Sequence, residues 1–142
     1  HDEGGVTGWA HNSAGRQRPF LAPVTVTALA PAHELPPLNG TTITTYQGQG
    51  RAVNRHGQVV GRLQNNSLQY RAFRYTPGGY VSGGGSVSQD LNTLTLDNGY
   101  NPAYLGWLLT EAVSINDGEV MMGTGTYNGN SASWILYRKL TE

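Results

Sequence analysis

The side chains that could do chemistry are few: nine carboxylates, four histidines and no cysteine among 142 residues. Without cysteine there is no disulfide, no thiolate-bound zinc and no thiol nucleophile. The carboxylates gather twice around glycine turns, as Asp2-Glu3 and as Asp117 and Glu119. A glycosidase needs two such groups about 5–10 Å apart across a sugar. Acids in an Asn-Asp-Gly sequence have a simpler use, accepting hydrogen bonds from the turn backbone. The matching stretch Asn54–Gly57 carries Arg55 and His56 in their place, as a turn-shaping role permits. Asn116–Glu119 offers oxygens to calcium but lacks the D-x-D-x-D-G spacing of a calcium loop. His1 and His11 are the metal candidates, since an N-terminal amine and two imidazoles could chelate copper. His1, however, falls where an asparagine stands in the matching stretch. No catalytic motif emerges, no cofactor is implied, and the chain reads as non-enzymatic.

What remains is the chemistry of contact. Tyr80, Tyr100, Tyr104 and Trp107 sit in or beside Gly/Asn-rich stretches. Such rings offer an apolar plate with a hydrogen-bonding edge, which suits sugars or a protein surface. Trp9, Phe73 and Trp134 fall inside apolar runs and read as core. Arg18 and Arg71 stand two residues before a core aromatic, where they are expected to pack or bridge between units.

The element that must position these residues occurs three times. Ala52–Tyr75 reads as a hairpin: an Asn-x-x-Gly turn, the run Val59-Val60-Gly61, a polar loop, then Ala72-Phe73 and Tyr75. His1–Leu21 aligns with it without a gap, Gly8 on Gly61 and Phe20 on Phe73. Ser114–Tyr137 aligns too, Gly123 on Gly61 and Trp134 on Phe73, with its turn glycine, Gly118, one position early. Repetition of this kind means that each unit needs a neighbour to cover its apolar face.

The pattern VNRHGQVVG with RAFRYTPG, and DLNTL followed by GWLLTEAVSIND and GTGTYNGNSASWIL, resembles the HAF-type extracellular repeats of bacteria. The resemblance extends over Arg51–Tyr137 and partly over His1–Leu21. It implies a β-propeller-like fold in an exported protein, and it implies no particular activity.

The rest of the chain agrees with an all-β reading. Twenty glycines and 13% charged residues suit short strands and tight turns. Ten to twelve short strands are expected in three propeller-blade-like antiparallel β repeats, units of roughly 1–50, 51–113 and 114–142 within a single domain. These would be part of a propeller, an assembled propeller or a small β-domain. Among the strands expected are Pro23–Thr27 and Thr41–Tyr46, while Ala28–Pro37 and Gln47–Gly50 read as loops. A chain that opens mid-motif suggests a fragment or a processed product of something longer. Zero net charge and the absence of a basic run give no support for a nucleic-acid or anionic-membrane partner. No apolar run is long enough for a membrane helix. The preferred expectation is a structural or adhesive protein outside the cell that associates with itself or with parent-chain repeats. The alternative is a carbohydrate-binding module that uses the loop aromatics on glycans.

Overall fold

The structure, a computed structural model, describes residues 5–25, 28–78 and 87–137. Nine strands form among them. Strands β1 (Val6–His11) and β2 (Gln17–Ala22) make sheet 1. Strands β3 (Gly48–Val53), β4 (Val59–Gln64), β5 (Tyr70–Thr76) and β6 (Val87–Asp90) make sheet 2. Strands β7 (Trp107–Ile115), β8 (Met121–Tyr127) and β9 (Asn130–Leu136) make sheet 3. All three sheets are antiparallel, and within each a strand pairs with its neighbours in sequence. The protein is all-β.

One loop design closes four of the hairpins. Asn12, Asn54, Asn65 and Asn116 each open a five-residue loop and accept, on the side-chain oxygen, the N–H of the fifth residue. The fourth residue is left-handed: Gly15 (φ 78°), Gly57 (φ 79°), Leu68 (φ 58°) and Glu119 (φ 62°). This is a type I turn closed by a residue of positive φ. The asparagine fixes the frame, so in the third unit the left-handed place falls on Glu119 rather than on Gly118.

The aligned glycines and aromatics face each other. Gly8 lies opposite Phe20, Gly61 opposite Phe73 and Gly123 opposite Trp134. The reason is space. A Cβ on Gly61 would lie 2.0 Å from the Gln49 carbonyl oxygen, and one on Gly123 would lie 2.0 Å from that of Glu111. In both sheets the neighbouring strand bulges at this place, between Gly50 and Ala52 and again around Leu109–Ser114. The bulge brings a carbonyl over the strand where only hydrogen fits.

Sheet 2 is the middle layer. On one side Val59, Leu63, Phe73 and Tyr75 pack with Leu35, Leu38 and Tyr46, joined by Leu21 of sheet 1. On the other side Val60 and Ala72 pack with Leu91 and with Leu109, Ala112, Ile115, Met121 and Trp134 of sheet 3. Val59 and Val60 are therefore both fully buried, which is why this strand reads as a continuous apolar run.

Departures from expectation cluster in residues 23–50. Pro23 to Thr25 make a turn rather than a strand, with Val24 exposed, and Val26 and Thr27 lie outside the described residues. Thr41–Tyr46 is not a strand either, although its β-branched residues favour one. The side chain of Asn66 takes its backbone, accepting the N–H of Thr42 at 2.9 Å and of Ile43 at 3.4 Å. Gln47–Gly50, expected as loop, supplies the start of β3. Ala28–Pro37 is not wholly a surface loop: Glu34 bridges Phe20 and Leu35 is buried. Glu34 thus pairs with Phe20 as Asp90 pairs with Phe73. Glu34-Leu35-Pro36-Pro37-Leu38 holds the place that Asp90-Leu91-Asn92-Thr93-Leu94 holds one unit later.

Candidate functional site

Of the four loop aromatics, the structure brings two together. Leu96–Tyr100 is a tight loop closed by Leu96 N–H to the Tyr100 carbonyl, with Gly99 at φ 85°. The Asn98 and Asn101 side chains accept the N–H groups of Tyr100 and Tyr104. These bonds set the two rings parallel, 4.3 Å apart at 7°. Tyr104 is 70% exposed and Tyr100 47%. Trp107 belongs elsewhere: it tilts against Tyr127, 4.8 Å away, and packs on the core between sheets 2 and 3. Tyr80 lies outside the described residues.

A cleft of about 860 Å³ opens between sheets 2 and 3 and is lined by none of these aromatics. One wall is Leu94–Asp97, the other Ile135–Tyr137 at the end of β9, and the floor is Arg74, Glu119 and Met121. Glu119 accepts from Gln58 Nε2 at 2.9 Å and faces Arg74 at 3.7 Å. Its carboxylate spans the two sheets.

Asp117 does the same. Its Oδ1 accepts the N–H of Arg55 at 2.9 Å, and its Oδ2 lies 3.8 Å from Arg55 Nε. Asn54 Nδ2 donates to the Asn116 carbonyl. The two acids expected to cap their own turn clamp the equivalent turn of sheet 2. The signal was available in the spacing, because Asn54 and Asn116, like Arg55 and Asp117, are 62 apart, as are Gly61 and Gly123, and Gln58 and Glu119 are 61 apart.

A polar seam crosses all three sheets. Gln49, 3% exposed, donates to Gln17 Oε1 of sheet 1 and accepts from Arg62 Nε. Glu111 of sheet 3 receives Arg51 at 2.6 Å and lies 3.9 Å from Arg62. Arg51 in turn lies 5.0 Å from the Trp9 ring centre. Nothing in this seam presents two free acids to a substrate. It joins sheets.

Arg18 bridges within 1–50 rather than between units, to Glu34 Oε2 at 3.2 Å and to the Thr44 carbonyl at 2.6 Å, with Tyr46 beneath its guanidinium. Burial pushes the Tyr46 phenol above its ordinary range, with Arg18 opposing. Arg71 stays local, on Gln69 and the Tyr70 carbonyl. His11 lines a pocket of about 420 Å³ with His33, Arg18 and Glu34. His1 lies outside the described residues, and no group of three or more potential metal ligands converges among those described. No described helix is long and apolar enough to cross a membrane.

Compared with known proteins, the chain matches no family model, no curated protein and no solved structure.

Proposed function

We propose that this is a non-enzymatic structural β-repeat protein that works by assembly, its end sheets stacking on further sheets of the same kind. One observation carries the reading. The face of sheet 2 that contains Val60 and Arg74 is covered by sheet 3. The same face of sheet 3 contains Met122 and Ile135 at the matching positions, directly opposite each other and 46% and 54% exposed. A large apolar pair left open where Val60 is fully buried and Arg74 partly so marks a contact surface.

Sheet 1 is open in the complementary sense. Its Phe20 is only partly buried while Phe73 is fully so, and Val6 is 47% exposed. The open face at one end thus corresponds to the face that sheet 2 turns toward sheet 1. The open face at the other corresponds to the face that sheet 2 turns toward sheet 3. A head-to-tail contact between the two is heterologous, and repeats itself into a ring or a filament. A four-stranded meander packed face to face with its neighbours is also how a propeller blade is built, so a shared propeller is the closed form we favour. An exported, cell-surface or adhesive role follows from the resemblance to HAF-type repeats.

The test is native mass by light scattering across a concentration series. The wild type should exceed the mass of one chain, and Met122→Lys, which sets a charge on the open face, should return it to one chain. A wild type that remains a single chain at all concentrations overturns assembly. The stacked, exposed Tyr100–Tyr104 pair would then carry the second reading, glycan binding that Tyr104→Ala abolishes.

A further inference from the structure

In sheet 2 the fourth strand, β6, is held from two sides. It pairs with β5, Phe73 opposite Asp90, Arg74 opposite Gln89 and Tyr75 opposite Ser88. It is also tied to the segment that follows Glu34. Ser88 Oγ donates to the Pro36 carbonyl at 2.7 Å, Asn39 N–H donates to the Ser88 carbonyl at 2.9 Å, and Leu38 bridges Ser88 in parallel.

Sheet 3 has, among the described residues, the first three strands of this arrangement and no fourth. Strand β9 corresponds to β5, Trp134 standing for Phe73, Ile135 for Arg74 and Leu136 for Tyr75. Segment 90–95 corresponds to 34–39, with Leu94 for Leu38 and Thr95 for Asn39. A strand in the place of β6 would lie between Leu94-Thr95 and the outer edge of β9. That place is the 860 Å³ cleft, whose walls are these residues.

We infer that this cleft is an acceptor site for an extended strand donated by another repeat, one patterned like Val87–Leu91. The edge is suited to it. The two-residue turn Asn128-Gly129 makes Tyr127 and Asn130 a hydrogen-bonded pair. Alternation then turns the N–H groups of Ser133 and Ile135 away from β8, toward the cleft. A donated strand completes the sheet by main-chain bonds and gains specificity from alternate side chains. Opposite Leu136 it needs a small residue, as Ser88 is opposite Tyr75, to approach the Leu94-Thr95 wall. Opposite Ile135 an apolar residue fits better than Gln89, which in β6 accepts from Arg74. This site is the edge of sheet 3, so it holds whether or not the open faces stack.

The test is fluorescence anisotropy of a labelled peptide spanning Val87–Leu94 with Gln89→Val, titrated with the full chain. Saturable binding is expected. Methylating the backbone nitrogen of residue 89, which in β6 faces the neighbouring strand, should weaken it at least about tenfold, the worth of a backbone hydrogen bond or two. Ile135→Pro in the protein should do the same, and Met122→Lys should leave binding unchanged. If Ile135→Pro does not fold, the methylated peptide decides alone. Absence of binding, or binding indifferent to methylation, overturns the strand-acceptor site.

Discussion

Sheet 2 meets its two neighbours by different means. Toward sheet 1 the contact is mainly apolar and amide in character, with the Arg18–Glu34 pair inside the wedge and Arg51 against Trp9. Leu35, Leu38 and Tyr46, from the chain between β2 and β3, wedge against Phe73 and Tyr75, and Gln17 bonds Gln49. Toward sheet 3 an apolar core is framed by charge. Sheet 2 and its loops contribute Arg51, Arg55, Arg62 and Arg74; sheet 3 and its loop contribute Glu111, Asp117 and Glu119. The two interfaces occupy equivalent places in the fold. Both interfaces bury an apolar core, and acid–arginine pairs add register on the sheet 3 side. A sheet whose acids are read by the arginines of its neighbour is placed one way only.

The difference can be broken from either side. Phe73, fully buried in the interface with sheet 1, is the larger target. Phe73→Ala should cost about 3–5 kcal/mol in urea denaturation, the usual penalty for emptying an aromatic site in a core. The deficit should be the same with and without 1 M salt. Glu111→Gln removes the carboxylate that holds Arg51 and Arg62. Both arginines are partly exposed, so the loss should be about 1 kcal/mol. It should shrink toward zero in salt near 1 M, where screening acts within about 3 Å. Equal salt responses in the two variants would show that the interfaces do not differ in kind.

The all-β class and the three hairpins were legible because their signals are local. An Asn opening a turn, a glycine opposite an aromatic and short apolar runs need no knowledge of the rest of the chain. Residues 23–50 were not legible, for reasons of tertiary context. Thr41–Tyr46 has strand propensity, but Asn66, from a loop some twenty residues on, binds its backbone first. Gly48 and Gly50 look like loop residues, yet a Cβ on either would strike neighbouring atoms, Leu63 for one and Thr7 for the other. Their glycines mark close packing, not a turn. Glu34-Leu35 is hard to see as a counterpart of Asp90-Leu91 because the prolines after it disguise the pattern. The clamp by Asp117 and Glu119 was hidden because a turn acid is first suspected of serving its own turn.

The smallest effect expected concerns the wedge at the first interface and appears only in alkali. Tyr46 is 5% exposed, with the Arg18 guanidinium 3.7 Å from its ring centre. Burial disfavours the phenolate and raises the pKa above the ordinary 10.0, although Arg18 pulls the other way. A group whose folded pKa is raised contributes its stability fully below the unfolded value and loses it as pH climbs through the folded one. Wild type and Tyr46→Phe should therefore differ by a constant amount from pH about 7 to about 9. Above pH about 10 the wild type should lose stability faster, because Phe has no proton to give up. Urea midpoints at pH about 8 and about 11 measure the difference. If Tyr46→Phe keeps the same distance from wild type at both pH values, the alkaline sensitivity of the wedge does not lie in Tyr46.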